Sequence, residues 1–532
     1  MKTTDRFLGV TISIFSIILL AGCQPDENEI SVYIPDDLFL AALIEEGVDS
    51  NNDGKISRWE AEAVTNLDLY RKNITNLAGI GAFRNLESFS CTGCRLESLD
   101  LTGCINLKDL WCEENQLSSL DVSVCTLLEI LYCPGNQLTF LDISHNLQLQ
   151  DLWLDDNLIT GLDLSANSSL KRLLVNNNHL AVLDASSCEL LETLGCKNNH
   201  LERLELPQSG NLRSLNVSRN SLEEINVTSL QMLEYLHCDG NQIAELNLNN
   251  NSSLKNLDCS GNPITELDVS SCTDLRSLEC LGTKITTLDL SGFQKLESVD
   301  CGASLLTYLD VSNCPNLEAV ECYDSELSSL NISGCTYLEY LECGWNKLIY
   351  LDISSNPSLV RLGCANNKLI SLNVRENPVL QTLSCYDNQI PELDLSENPA
   401  LMELDCSSNP LSTLSLSANT ILKKLHFSGN NLSDLDVSMN LQLKELGCSW
   451  NSINSLDVSA NTLLRSFHCH GNNMTFLNLS NNTYLEEIGL REMPELTEVC
   501  VWTDPFPPKD IEVYSAGSPN LYFTMDCNPA PL

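Results

Sequence analysis

The chain has 532 residues, 29 basic and 72 acidic, for a formal net charge of −43. So large an acidic excess argues against DNA, RNA or an anionic membrane surface as partner, because phosphate binding needs a cationic face. A basic protein, a cationic ligand or a metal ion suits the field better, although the same charge also keeps a long chain soluble.

Residues 1–22 read as an export signal. Lys2 and Arg6 precede an apolar run from Leu8 to Leu20, too short to cross a membrane as a helix. The run ends in Leu20-Ala21-Gly22-Cys23, which resembles a bacterial lipobox and implies a lipid on Cys23. Residues 23–33 form an acidic tether with Asp26, Glu27 and Glu29, similar to the surface-export tag of Bacteroidetes lipoproteins. The resemblance implies an exported protein, lipid-anchored to the outer membrane and exposed at the cell surface. Its membrane contact would be the N-terminal lipid alone.

Residues 34–64 read as helix, loop, helix. Pro35 suits a first helical turn, Asp36 to Glu46 carries an apolar helical face, and Gly47 can end it. In the loop, Asp49, Asn51, Asp53, Lys55 (through its carbonyl), Ser57 and Glu60 fall at positions 1, 3, 5, 7, 9 and 12, with Gly54 at 6. Calcium needs six or seven oxygens around a sharp turn, and glycine makes that turn most easily. The loop resembles EF-hand and dockerin loops, which implies a structural Ca2+ that fixes an N-terminal cap. A metal-free pair of capping helices is the competing reading.

Residues 64–86 look like a first, longer repeat, with Leu67, Leu69, Ile74, Leu77, Ile80 and Phe83 as its apolar positions. The interval from Leu69 to Cys91 is 22 residues, and from there the spacing is 21 without a slip. Cys91, Cys112 and Cys133 open a column that ends at Leu490, nineteen equal intervals later. A fixed period of this length marks a stacked-coil solenoid.

One unit, Leu107 to Leu127, reads LKDLWCEENQLSSLDVSVCTL. Counting Leu107 as position 1, apolar residues sit at 1, 4, 6, 11, 14 and 16, with Asn at 9 and Asn or Cys at 19. Each half alternates inward as a short strand and then turns. Stacked coils pair as parallel strands about 4.8 Å apart and bury the apolar edge that one coil alone leaves exposed. The Asn column runs from Asn115 to Asn262 and from Asn346 to Asn472, and an amide there can pair corner N–H and C=O groups. It breaks at Cys94, Thr283, Ser304 and Ser325, so corners around 283–325 are expected to be weaker.

The pattern LxxLxCxxNxL resembles the leucine-rich repeat family, and the nested LxxLDLSxN half resembles its 21-residue bacterial subclass. The longer first repeat is similar to the internalin type. The resemblance implies a leucine-rich-repeat solenoid over residues 65–490. Parallel β-sheets would lie on two faces of a superhelix of about 20 coils, with a short helical N-terminal cap.

Fifteen cysteines occupy position 6, where Leu, Val or Phe substitutes, and six more occupy position 19. They read as buried thiols rather than disulfides, because in-register Cβ atoms on neighbouring rungs are slightly too far apart for relaxed S–S geometry. Cys91 and Cys94 form a CxxC, but both fall on repeat columns. Past Leu490 the period fails at Pro505, Pro507 and Pro508, so residues 491–532 are expected to form a C-terminal cap. Cys500 and Cys527 lie off the ladder and are expected to form a disulfide.

Position 5 points outward and carries two blocks. Trp111, Tyr132 and Trp153 occupy adjacent rungs, either as a self-stabilising stack or as a platform for a protein hot spot or a sugar ring. Asp258, Glu279, Asp300, Glu321 and Glu342 occupy five more. Like charges about 5 Å apart repel by on the order of 1 kcal/mol in water, so the row reads as a track for a cation or basic ligand; a salt-screened, solvated face is the alternative. The Asp column at position 15 reads as local turn bonding. No metal-ligating histidine set, phosphate loop or nucleophile elbow is present, and no enzyme is expected. The functions in view are a surface protein that binds a protein partner or mediates adhesion, a surface glycan-binding protein, and a structural spacer.

Overall fold

The computed structural model describes residues 30–527. The export signal, Cys23 and most of the acidic tether lie outside the described residues.

Each coil contributes a three-residue strand whose middle side chain points into the core. In Asp109–Trp111 the buried residue is Leu110. Its strand pairs in parallel with the next coil, Asp109 to Ile130, Leu110 to Leu131 and Trp111 to Tyr132. Repetition builds one parallel sheet of 22 strands, from Asn66–Asp68 to Glu512–Tyr514. The second half of the coil forms sheet in three separate patches, one of them Thr287–Asp289, Tyr308–Asp310 and Ser329–Asn331. Elsewhere turn bonds hold that half. Asp121 Oδ1 accepts the Ser123 N–H at 2.9 Å, and Asp142 Oδ1 accepts that of Ser144 at 2.9 Å. Bonds from Ser123 and Ser144 hold the carboxyls of Asp121 and Asp142 below their ordinary pKa.

The spiral does not stop at Leu490, where its sequence period does. Glu512–Tyr514 pairs with Glu487–Gly489, and Tyr522–Thr524 pairs with Glu498–Cys500. Glu487 and Glu512 are 25 residues apart and Glu498 and Tyr522 are 24, because a loop carrying Pro505, Pro507 and Pro508 is extruded between strands. Pairing then resumes, so an inserted loop erased the sequence register without ending the stack. Cys500 and Cys527 are bonded across this last coil, with Cα atoms 5.3 Å apart.

The interior is one continuous apolar column from Phe39 to Val501. All cysteines from Cys91 to Cys469 are free and buried. Burial raises the thiol pKa of most of them, to about 12 for Cys196 and Cys385, so the thiolate needed for disulfide exchange is scarce.

Two Asn columns close the corners, and they do different work. At position 9 the amide uses both ends. Asn388 donates to the carbonyls of Cys364 and Cys385 at 3.0 and 3.1 Å and accepts the Leu369 N–H at 2.9 Å. Each such Asn clamps its own coil to the preceding one. At position 19 the amide is only a donor. Asn398 donates to the carbonyls of Val374 and Asn377 at 2.8 and 2.9 Å, while its Oδ1 is buried and accepts nothing from the protein. Cysteine replaces Asn six times in this second column, but at position 9 only at Cys94, in the first regular coil. Cys314 and Cys335 direct their thiols at the carbonyls of Leu290 and Val311, at 3.1 and 3.0 Å. A thiol supplies a weak donor and leaves no strong acceptor stranded. In the expected weak stretch, Thr283 and Ser304 hydroxyls still reach the carbonyls three residues back, at 2.8 Å each, but neither makes the amide bond to the preceding coil.

Two short helices, α1 (Asp37–Glu45) and α2 (Arg58–Ala63), close the N-terminal end. Asp36 caps α1 through the N–H groups of Leu38 and Phe39, and its other oxygen accepts the N–H groups of Thr75 and Asn76, tying the cap to the first coil.

The two columns predict different tolerances. Asn388→Ala strands an N–H and two carbonyls and should cost about 1–3 kcal/mol, whereas Asn398→Cys should cost less than about 1 kcal/mol. Urea unfolding followed by tryptophan fluorescence tests this, and equal losses at both sites would disprove the distinction.

Candidate ligand-binding face

The sheet exposes position 5 of every coil in register. His237 pairs with Asp258, Asp258 with Glu279, Glu279 with Asp300, Asp300 with Glu321, and Glu321 with Glu342. The five acids predicted from the sequence are therefore brought together in one uninterrupted row. Among the described residues none forms an ion pair with Lys or Arg. The nearby bridges, Arg213 and Lys255 to Glu234 and Arg276 to Glu297, belong to a different column. Backbone N–H groups two residues on reach Asp258, Asp300 and Glu342 at 3.0, 3.2 and 3.2 Å. Partial burial pushes the carboxyls of Asp258, Glu279, Asp300 and Glu321 above their ordinary pKa, and the neighbouring carboxylates add to the effect on Glu279 and Glu321.

The aromatic block is only partly assembled. Tyr132 stacks on Trp153 with ring centroids 4.1 Å apart. Trp111 holds the adjacent rung, backbone-paired with Tyr132. Burial pushes the Tyr132 hydroxyl pKa up to about 12, and the Trp153 indole N–H is buried without a protein acceptor. Asp151, almost fully buried, takes the Arg172 Nε–H at 2.7 Å beside this stack. Glu113, two residues along from Trp111, is raised by burial, and its Oε2 has no protein partner.

Two features of this face escape a reading by type alone. Position 8 is left-handed in coil after coil, with φ of 54° at Asn366, 58° at Trp345 and 55° at Trp450. Gly, Asn and Asp tolerate that region, but tryptophan is strained there. The visible signal was the recurrence of Gly, Asn and Asp immediately before the corner Asn. The second feature is a glycine placed after a long side chain at position 5. A Cβ at Gly363 would strike the Glu342 carboxylate, and one at Gly447 would meet His426 Nδ1 at 2.5 Å. These side chains lie flat over the next rung because it is bare.

The N-terminal loop brings its residues into hydrogen-bonded turns. Asp49 accepts the N–H groups of Asp53 and Gly54 at 3.2 and 2.9 Å, Asn51 accepts that of Asp53 at 2.8 Å, and Asp53 accepts that of Lys55 at 2.9 Å. Glu60 collects the most: Ser50 N–H and hydroxyl at 2.8 Å each, Asn51 N–H at 3.3 Å, and Ser57 N–H and hydroxyl at 2.9 Å each. Burial opposes its charge, but these bonds outweigh burial and hold its carboxyl below the ordinary pKa. Oxygens of Asp49, Asn51 and Asp53 suit a hard cation chemically. Glu60, as placed, does not, and among the described residues no three acidic, His or Cys side chains gather as a metal cage.

A family model described as Leucine Rich Repeat matches residues 253–275. YopM from Yersinia enterocolitica is 26% identical, over 74% of this chain and 89% of that one, with a TM-score of 0.58. The fold is a leucine-rich-repeat solenoid. The same repeat architecture relates the chain to a plant peptide hormone receptor, RGFR1, solved with RGF2 (17% identity, 82% and 81% coverage, TM-score 0.62). It also relates it to the Arabidopsis receptor kinase HAESA, solved with the peptide hormone IDA and the co-receptor SERK1 (19% identity, 87% and 92% coverage, TM-score 0.56). No curated protein matches the sequence.

The acidic row of this leucine-rich repeat face has a thermodynamic signature. The carboxyls of Asp258, Glu279, Asp300 and Glu321 have folded pKa values above the unfolded ones. They therefore favour the folded state fully below the unfolded pKa, and lose that contribution as pH rises through the folded values. At neutral pH they oppose folding. Replacing Asp258, Glu279, Asp300 and Glu321 by Asn or Gln should raise the melting temperature at pH 7, most at low salt. A lower melting temperature in calorimetry would show that the row stabilises the fold.

Proposed function

We propose that this chain is a binding protein, not a catalyst, and that it holds a basic protein or peptide along the sheet face between Asp258 and Glu342. The carrying observation is the five-carboxylate row, in register and, among the described residues, without an ion pair to Lys or Arg. A fold has no use for four adjacent carboxylates, Asp258 to Glu321, whose ionisation it suppresses. A partner that supplies Lys or Arg relieves the repulsion and gains charge-assisted hydrogen bonds. A solenoid also supplies the extended surface that such a partner needs. The stacking of Tyr132 on Trp153 supports this reading over sugar binding, because the pair spends on itself one of the ring faces that a sugar would cover. The lipobox at Cys23 and the acidic tether support a lipid-anchored protein at the outer surface of its cell.

A deca-arginine peptide is the simplest probe. Biolayer interferometry with the chain from residue 24 onward should give binding that weakens steeply as salt rises. The variant with Asn or Gln at all five positions should lose most of that binding. Equal affinity in wild type and variant would refute the face as the site.

For the N-terminal loop we propose weak Ca2+ binding through Asp49, Asn51, Asp53, the Lys55 carbonyl, Ser57 and Glu60. Glu60 must first give up the N–H and O–H groups it now holds, so the ion competes with the protein's own donors. When bound, the ion would brace the cap against the first coil. Calorimetric titration should find millimolar affinity, in the range of extracellular modules. Absence of heat together with unchanged melting in chelator would eliminate the ion.

A further inference from the structure

Helix α1 is apolar on both sides. Its sequence holds seven consecutive apolar residues, Leu38 to Ile44. Phe39, Ala42 and Leu43 are buried in the cap. Leu38, Ala41 and Ile44, three residues apart, fall on the opposite side, where Leu38 is 52% and Ile44 41% exposed. A surface helix of a soluble protein turns a polar face outward; α1 has on that side only Asp37 at its first residue and Glu45 at its last, among Leu38, Ala41 and Ile44. More exposed apolar residues lie close in the chain. Ile30 and Tyr33 are each 78% exposed and precede α1, and Trp59 at the start of α2 is 59% exposed. The Arg58 N–H donates to the Ile30 carbonyl at 3.3 Å, which sets Ile30 against the α2 end that carries Trp59.

We propose that the outer face of α1, together with Ile30, Tyr33 and Trp59, rests on the lipid surface into which Cys23 is anchored. The proposal rests on the lipid-anchored reading given above. Cys23 is seven residues before Ile30, and seven residues reach at most about 25 Å. An anchored cap therefore cannot leave the vicinity of the bilayer, and a weak apolar contact is amplified by that proximity. Trp and Tyr favour the membrane–water boundary. A second copy is a poor occupant. Six apolar side chains fall well short of the roughly 20–30 residues a side that a specific interface engages, and a net charge of −43 repels like chains. The same charge selects a zwitterionic surface over an anionic one. The contact would set which end of the solenoid meets the membrane and leave the acidic row clear of it.

The test couples the full chain from Cys23 onward, through that thiol, to maleimide-bearing lipid in phosphatidylcholine vesicles. Amide hydrogen exchange in residues 37–45 should slow several-fold relative to the chain free in solution. The double variant Leu38→Ser with Ile44→Ser should melt as wild type does and lose the slowing. Unchanged exchange on the vesicle overturns the proposal. So does a dimer of the free chain in sedimentation that the same variant dissolves, since a second copy would then own the face. Lipid on Cys23 is read separately, by the mass of the N-terminal peptide of the protein from its own cells. An unmodified Cys23 removes the anchored reading, whereas unchanged exchange removes this one.

Discussion

A chain that coils inside an apolar column must still pair every backbone N–H and C=O at its corners, and that constraint organises the molecule. Leaving one such group unpaired costs about 1–3 kcal/mol, and a spiral of this length multiplies the debt by its corners. Position 9 settles it with an amide that donates to two carbonyls and accepts one N–H. Position 19 needs only a donor, so its Asn leaves an oxygen idle and a thiol can stand in. The two substitution patterns, Cys once at position 9 (Cys94) and six times at position 19, follow from that difference in demand.

Because the corners and the apolar positions are fixed by these needs, the outward positions are where the coils can differ. Aromatic side chains, then carboxylates, then histidines succeed one another down a single column of the sheet. The repeat tolerates each of them, but not at equal cost. Asp121 and its equivalents spend their charge on turn N–H groups and are stabilised by it. The carboxylates from Asp258 to Glu321 gain less from the backbone, and burial works against them. Two acidic columns of the same protein thus have opposite electrostatic character, and hydrogen bonding distinguishes them.

What the sequence made legible is what the period enforces. The cysteine and Asn columns, the inward strand residues and the position-15 Asp turns recur at a constant stride, and each lies where the pattern placed it. Three things were hidden. The left-handed position 8 is occupied by Gly, Asn and Asp, but also by Trp345, Arg219 and Glu492, so residue type blurs a constant backbone. The end of the spiral was masked by one extruded loop, since a register count fails at an insertion even where strand pairing survives it. Glu60 was ambiguous for a deeper reason: Ser57-Arg58-Trp59-Glu60 satisfies both the last calcium position and a helix capping box. Spacing alone cannot separate a carboxylate that awaits a cation from one that already holds N–H groups.

The aromatic block shows how far register alone can carry a functional argument. Three aromatic residues on adjacent rungs suggested a single platform, yet only Tyr132 and Trp153 stack. Backbone register fixes Cα spacing; side-chain contact depends on what each neighbour leaves free. The acidic row passes that stricter requirement in the opposite sense. Its members are adjacent in register and cannot satisfy one another, because each is an acceptor without a donor. A row of aromatic residues can close on itself and need nothing more. A row of carboxylates can be completed only by a proton, a metal ion or a cationic partner from outside the chain. That asymmetry is why the weight of the functional reading falls on Asp258 to Glu342 and not on the tryptophans.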